Sequence, residues 1–515
     1  MKTDVRDERE TVDYLRRILN SKVYDVAVES PLDEATALSK KLGNRFLLKR
    51  EDLQPVHSFK LRGAYNKMSQ LSREELDRGV ICASAGNHAQ GVALSAKRLG
   101  CKATIVMPVT TPEIKTSSVK SYGASIVLHG DSYSDTYEEL ERQIAEHGYT
   151  YVAPYDDPDV IAGQGTVAME ILRQNPGPLD AVFVPVGGGG FAAGVAVYIK
   201  AVRPEVKVFG VEPFDSDCMF RSLAAGRRVT LPQVGLFADG VAVKQPGAIT
   251  FELCRRHLDG IVRVTTDETC AAIKDIFEAT RAICEPAGAL ALAAAKRFAA
   301  EGRLKGRTFA CIVSGANMNF DRIRFVSEQT EVGERREAVL ECTIPEKRGA
   351  FKDFISRIGK RSVTEFNYRY SAPDHAHVFV GLAVKSPEET AKLVKSLQAG
   401  GVETVDLSDD RLAKEHIRYM VGGHTRGVHD EVVCTFEFPE RPGALMEFLN
   451  AVCGRWNITM FHYRNHGSDH GKVFAGMQVP AKERSAFKTA LSKLGYKFTD
   501  ETANVAYRYF LGNRD

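Results

Sequence analysis

Residues 181–202 read AVFVPVGGGGFAAGVAVYIKAV. An apolar, β-branched run stops at four consecutive glycines, Gly187, Gly188, Gly189 and Gly190, and an apolar run at helical spacing follows. Strand, turn, helix is the order in which a parallel sheet passes its chain to a covering helix. Without side chains, backbone N–H groups at such a turn can converge on an anion at the positive end of the helix dipole, and a phosphate is the natural ligand. A flexible linker would not be bracketed by a buried strand and a buried helix. The same loop also satisfies G-x-G-x-x-A through Gly187, Gly189 and Ala192, with Glu212 20 residues on, which is the dinucleotide pattern. Taken alone, the loop leaves phosphate and dinucleotide both open.

Outward from this stretch, short apolar runs alternate with helical patterns over residues 25–325: VICASA (80–85), KATIVMPV (102–109), ASIVLHG (124–130), VKVFGVE (206–212) and FACIVSGAN (309–317). Their lack of strict alternation suits strands buried on both faces, hence an α/β fold with parallel-rich sheets wrapped by helices. A charged segment, SEQTEVGERRE (327–337), then reads as a linker.

Beyond it the chain repeats itself. TIPEKRGAFKDFISRIG (343–359) aligns with EFPERPGALMEFLNAVC (437–453), EFNYR (365–369) with MFHYR (460–464), HVFVGLAV (377–384) with KVFAGMQV (472–479), and GVETVD (401–406) with GYKFTD (495–500). The offset stays at 94 or 95 residues throughout. Each copy reads as a βαββαβ unit of α+β type, and VGGHTRGVHD (421–430) separates the two.

At 515 residues, 44% hydrophobic and 26% charged, the composition is that of a soluble globular protein of several domains. The net charge of +3 is spread without a basic block, so neither nucleic acid nor a membrane surface is expected as a partner. The N-terminal MKTDVRDERETVDYLRRILN has acidic residues and no apolar core, unlike a secretory or transit signal. The most apolar run, GALALAAAKRFAA (288–300), is broken by Lys296 and reads as a buried helix. Ten cysteines without a C-x-x-C fit scattered core thiols in a reducing cytoplasm.

Three further stretches carry chemistry. HSFKLRGA (57–64) sets Lys60 among apolar residues, just after the polar cluster Lys49, Arg50, Glu51 and Asp52. Lys60 is either a solvated helix lysine or an amine whose charge is disfavoured by apolar and cationic neighbours, and so a nucleophile. CASAGNHAQGVALSAKRLG (82–100) is a strand, a polar loop and a helix. Its Ser84, Ala85, Gly86, Asn87 and His88 can cap that helix or hold a carboxylate, with the Asn87 amide able to bond a phenolate-like oxygen. CIVSGANMNFD (311–321) places Ser314 just past a strand. Parallel sheets bind ligands at the carboxyl ends of their strands, where all of these loops fall.

Together HSFKLRGA, SAGNHAQG, PVGGGG, ADGVAV (238–243), EPAGA (285–289) and SGANMN resemble the pyridoxal-phosphate-dependent threonine and serine dehydratases, of the tryptophan-synthase-β-like class. DLSDD (406–410), RYMVGG (418–423), FPERPGAL (438–445) and the paired aromatic motifs resemble the regulatory half of biosynthetic threonine deaminases. The resemblance implies a two-subdomain catalytic domain of fold type II over 1–326, with a small subdomain inserted at about 52–157. It also implies a linker at 327–337 and ACT-like regulatory subdomains at 338–421 and 430–515.

It implies pyridoxal 5'-phosphate as cofactor and Lys60 as its Schiff-base lysine, with Phe59 beside it, Gly187 to Gly190 on the phosphate, Asn87 on the ring oxygen, Gly240 beside the ring and Ser314 facing the ring nitrogen. Ser84 to His88 would hold the substrate carboxylate, and Glu285 would orient ring or substrate unless it is a surface residue. Some relatives bind a divalent cation. VEPFDSDCM (211–219) offers Glu212, Asp215 and Asp217 in a departing spacing, so no metal is expected.

The implied reaction converts L-threonine, and L-serine as well, to the 2-oxo acid and ammonia. It is the first committed step of isoleucine biosynthesis, with isoleucine inhibiting and valine opposing it. Phe366, Tyr368, Phe461 and Tyr463 are candidate effector contacts or sheet-core residues, and the Gly349 and Gly443 turns could meet an effector's charged backbone. A homotetramer is the implied assembly. The alternatives are a catabolic dehydratase or serine racemase, which lack a double module, a catalytically silent amino-acid sensor, and the dinucleotide oxidoreductase, which leaves Lys60, Asn87 and Ser314 without a role.

Overall fold

The computed structural model describes residues 5–131, 133–320, 322–333, 337–345, 354, 357–358, 363–368, 375–417, 429–439, 447–448, 451, 455–464 and 470–511. The chain divides into two compact units, Met1–Phe320 and Asp321–Asp515.

The first unit holds two sheets. Strands β1 (Leu32–Glu34) and β2 (Arg45–Arg50) open the chain, and β3 (Val80–Ala83), β4 (Ala103–Met107), β5 (Ser125–Leu128) and β6 (Thr150–Tyr151) follow. Next come β7 (Ala181–Pro185), β8 (Lys207–Pro213), β9 (Gly260–Val264) and β10 (Thr308–Val313). The large sheet has the order β1-β2-β10-β7-β8-β9, and the four strands β5-β4-β3-β6, all drawn from between β2 and β7, form the small one. Every pairing is parallel except β1 with β2. Strands β3, β4, β7 and β10 are buried at every position, as covering on both faces requires.

Two helices cross at glycines in this unit. A Cβ added to Gly163, in the helix Pro158–Gln174, would lie 2.6 Å from the Arg62 carbonyl oxygen and 2.8 Å from the Gly63 Cα. The helix Lys60–Met68 is thereby seated backbone to backbone. Beneath it lies a buried ionic network. Arg62 donates to Glu51 (2.7 and 2.8 Å) and to Glu170 (2.6 and 3.0 Å), while Lys49 pairs with Glu170 at 2.6 Å. The four side chains are fully buried and sum to zero charge. This is the one arrangement in which such burial is tolerable.

The second unit contains the two repeats. Strands β11 (Glu337–Pro345), β12 (Val363–Tyr368), β13 (His375–Ala383) and β14 (Glu403–Asp406) pair antiparallel in the order β12-β13-β11-β14. Strands β15 (Glu431–Pro439), β16 (Asn457–Arg464), β17 (His470–Gln478) and β18 (Lys497–Asp500) repeat that order. Even the irregularity repeats, with a register shift at Val363/Glu365 in one copy and at Ile458/Met460 in the other. Each repeat has its own core, and Val339, Phe379, Leu407, Val433, Phe474 and Tyr507 belong to a third core drawn from both repeats. The copies are not chemically equal. Glu341 and His377 form a buried 2.7 Å pair in the first, where the second has Thr435 and Lys472. Among the described residues, no helix is long and apolar enough to cross a membrane.

Candidate active site

Lys60 is the first residue of its helix, and its Nζ donates to the Pro154 carbonyl at 2.7 Å. Burial lowers its pKa to about 8, against the pull of the Glu285 carboxylate. The expectation that cationic neighbours lower it needs correcting. Lys49 and Arg62 are spent on Glu51 and Glu170, and Arg50 on Asp52 and Asp33, so desolvation is the cause.

The chain before Lys60 is tied to the end of β10. The Phe59 N–H donates to the Ser314 carbonyl at 3.1 Å and the Ala316 N–H to the His57 carbonyl at 2.9 Å, which places buried Ser314 beside the lysine segment. The Phe59 ring stacks on Phe191 with centroids 3.9 Å apart. Phe191 stands in the first turn of the helix Gly190–Val202, so this contact joins the lysine segment to the glycine loop.

Crowding explains the glycines. A Cβ at Gly188 would fall 2.3 Å from the Tyr155 ring, and one at Gly190 2.7 Å from the Tyr155 carbonyl. Gly189 has φ +97°, which other residues rarely adopt, and a Cβ at Gly187 would meet the Val241 backbone at 3.1 Å. Thr250 Oγ1 donates to the Gly188 carbonyl at 2.6 Å, which fixes the orientation of that peptide.

The polar loop after β3 faces space. Gly86 is the N-cap of the helix Asn87–Leu99 with no side chain capping it, and a Cβ there would meet nothing within 4 Å. Ser84 Oγ accepts from the Gly86 N–H at 3.3 Å and Ala85 is half-buried. His88 differs from its neighbours, because its ring turns inward and Nε2 lies 2.8 Å from the Val152 carbonyl. Burial first, then Lys60, pushes its pKa down to about 3, so the ring is neutral with Nε2 carrying the proton. Of His88, it is the backbone and not the ring that faces a ligand at this loop.

Asn87 reaches across the cleft. Its Nδ2 donates to Glu285 Oε1 at 2.7 Å, and its Oδ1 accepts from Asn317 Nδ2 at 2.7 Å. Glu285 is 3% exposed and is no surface residue. Burial, helped by Asp239, pushes its pKa up to about 7, while Asn87, Lys115 and the Asn317 backbone N–H pull it down. A Cβ at Gly240 would lie 3.0 Å from Ala287 Cβ and 3.3 Å from Glu285 Oε1, so this loop closes the same corner.

Glu212 is unavailable to a ribose. It is fully buried, accepts from the Met219 and Phe220 N–H groups (both 2.8 Å), and is pushed up to about 8 by burial. Asp217 pairs with Arg221 and Arg263, and Asp215 lies against Gly235. Tyr155, Pro154 and Asn317 were missed by sequence reasoning. Asn317 lies inside the quoted SGANMN, whereas nothing local marks the other two.

The donor set fits pyridoxal phosphate: a desolvated lysine, a glycine cradle at a helix start, an amide with an unspent N–H, and a buried serine at a strand end. The fold and this site define a pyridoxal-phosphate-dependent enzyme, and the family model described as "Pyridoxal-phosphate dependent enzyme" matches residues 24–315. The model of the "C-terminal regulatory domain of Threonine dehydratase" matches twice, over 328–417 and 422–511. The chain belongs to the biosynthetic threonine dehydratase family. It is 56% identical over 502 residues to the biosynthetic L-threonine dehydratase IlvA of Burkholderia multivorans, covering 97% of this chain and 99% of that protein. Identity to the Escherichia coli protein of the same name is 51%, over 98% of each. Among solved structures it resembles processed threonine deaminase isoform 2 of Solanum lycopersicum, at TM-score 0.62 and 49% identity, covering 64% of this chain and 90% of that one. Maize serine racemase aligns at TM-score 0.57 and 32% identity, over 61% of this chain and 96% of its own.

Proposed function

We propose that Lys60 carries the cofactor and serves as the base of the reaction. The activity is that of the family: L-threonine is deaminated to 2-oxobutanoate and ammonia, the first committed step of isoleucine biosynthesis. When bound, pyridoxal 5'-phosphate supplies an electron sink for the charge left at the substrate Cα.

The chain supplies the rest. Because desolvation holds Lys60 at about 8, a useful fraction of its Nζ is the free amine near neutral pH and can take the Cα proton. The N–H groups of Gly187 to Gly190, at the start of a helix, hold the phosphate. The loop Ser84, Ala85, Gly86, Asn87 and His88 takes the substrate carboxylate, in the space that Gly86 leaves open. Asn87 bonds the ring oxygen and Gly240 leaves room beside it. Phe59, held by its stack on Phe191, packs beside the cofactor. Ser314 faces the ring nitrogen, where a hydroxyl donates to an unprotonated nitrogen. A serine there, in place of an acid that would hold the nitrogen protonated, would make the bound ring a weaker electron sink and so suit β-elimination.

The observation that carries this reading is the partly buried Lys60 amine, whose segment is tied to Ser314 and, through the Phe59–Phe191 stack, to the glycine loop. Borohydride treatment of the purified chain, followed by peptide mapping, tests it. The reading expects the pyridoxyl label on Lys60, and a label elsewhere would refute it.

L-serine is a second substrate in this reading, because one methyl distinguishes the two and is worth only about 1–3 kcal/mol. The doubled regulatory unit takes isoleucine as inhibitor and valine as its opponent. Strands β12 and β16 carry Phe366, Tyr368, Phe461 and Tyr463 at equivalent positions. The side chains of these four, and the Gly349 and Gly443 turns, lie outside the described residues. A homotetramer in the cytoplasm completes the proposal.

A further inference from the structure

Asn87 is held from both sides, by an amide donor on its oxygen and by a carboxylate acceptor on its nitrogen. On one side Asn317 Nδ2 spends its two hydrogens on the Val56 carbonyl (2.8 Å) and on Asn87 Oδ1 (2.7 Å). A carbonyl cannot donate, so the Asn317 amide has one orientation, and it forces Asn87 to present Oδ1. On the other side Asn87 Nδ2 meets Glu285 Oε1 at 2.7 Å. An ionised carboxylate accepts only, so one Asn87 hydrogen is fixed there and the other is left to give. Two glycine backbones leave room for that carboxylate, since Cβ atoms built on Gly240 and Gly315 would lie 3.3 and 2.8 Å from the same Oε1.

We propose that Glu285 is a positioning residue: its carboxylate pins the Asn87 amide so that the remaining N–H is aimed at the ring oxygen of the cofactor. This rests on the reading that Asn87 bonds that oxygen. The charged groups acting on Glu285 are Lys60 from its helix, Lys115 from the helix Glu113–Ser121 and Asp239 from the turn Asp239–Val241, together with the Asn317 backbone N–H. Because burial and Asp239 hold the carboxyl near 7, the pin is weakened on the acid side, where a protonated oxygen would face the Asn87 donor with a hydrogen of its own.

A donor to the ring oxygen stabilises the form of the bound cofactor with a negative oxygen, which absorbs at longer wavelength than the neutral-oxygen form. The ratio of the visible to the near-ultraviolet band of the holoenzyme therefore reads the Asn87 contact without reading activity. Asn87→Ala is expected to lower the ratio at least twofold, and Glu285→Ala to lower it comparably. Glu285→Gln, whose amide carbonyl still accepts from Asn87, should recover at least half of the loss. Because Glu285 acts through Asn87, the double variant should fall no further than Asn87→Ala alone. A normal ratio in Glu285→Ala beside a lowered one in Asn87→Ala would overturn the inference and leave the site reading intact. A normal ratio in Asn87→Ala would overturn both. If Glu285→Ala does not fold, the wild-type ratio should decline from pH 8 to pH 6 while that of Glu285→Gln stays flat. Parallel pH curves for the two would overturn the inference.

Discussion

Replacing Glu170 by glutamine tests whether the buried network under the catalytic helix is a charge-balanced unit. Glu170 accepts from Arg62 at 2.6 and 3.0 Å, from the Tyr24 hydroxyl at 2.8 Å and from the Ser30 N–H at 3.2 Å, and pairs with Lys49 at 2.6 Å. Lys49 and Arg62 against Glu51 and Glu170 give two charges of each sign, so Glu170→Gln leaves one uncompensated positive charge in a site with no exposure. Stranding a buried charge in this way costs about 3–5 kcal/mol. For a unit of this size that is a fall on the order of 10 °C in the unfolding midpoint. Adding Lys49→Met removes the stranded cation, so the double variant should recover at least about 2 kcal/mol of the single variant's loss. The single tryptophan, Trp456, lies in the second unit, so its fluorescence follows the wrong part of the chain. Thermal loss of the bound cofactor's visible circular dichroism follows the first unit. A double variant as unstable as the sum of its single variants would refute the charge-balance argument.

Other outcomes follow from single sites. With burial lowering Lys60 to about 8, its labelling by an amine-directed reagent in the apoprotein should have a midpoint near pH 8. The native lysine binds fewer protons than the unfolded one between pH 8 and 10.5, so apoprotein stability should gain up to about 3 kcal/mol from this group as pH rises through that window. In Lys60→Ala the gain should be missing from a pH series of denaturant titrations. Gly188→Ala drives a methyl against the Tyr155 ring and should abolish measurable cofactor binding in an equilibrium titration. Gly86→Ala meets nothing, so stability should change by less than about 0.5 kcal/mol while KM for threonine rises, because the methyl occupies substrate space. Tyr368→Ala and Tyr463→Ala should each raise the isoleucine concentration for half-inhibition, within the roughly 5- to 150-fold that a typical coupling energy allows.

Much of the fold could be read from local pattern. Strands buried on both faces lose polar alternation, which marked VICASA and AVFVPV as parallel. The constant offset between TIPEKRG and EFPERPG marked a duplicated unit whose register shift proves to be duplicated as well. The glycine loop announced a close approach but not what approaches. Tyr155 covers Gly188 from a connecting segment that carries no signal of its own. The ambiguity of Glu212 was equally non-local, since only folding turns its carboxylate onto two N–H groups of the next helix. Glu285 and Asn87 are 198 residues apart, and Arg62 and Glu170 are 108 apart. Nothing in the spacing links such pairs, which is why Glu285 could be taken for a surface glutamate and Lys49 for a neighbour that tunes Lys60.

The proposed function joins a threonine-deaminating catalytic unit to a doubled regulatory unit that takes isoleucine. The direct measurement is 2-oxobutanoate release from L-threonine by the purified full chain, with and without isoleucine. Release that isoleucine suppresses and valine restores is expected. Release indifferent to isoleucine would contradict the sensor half, and no release from a chain loaded with cofactor would contradict the catalytic half.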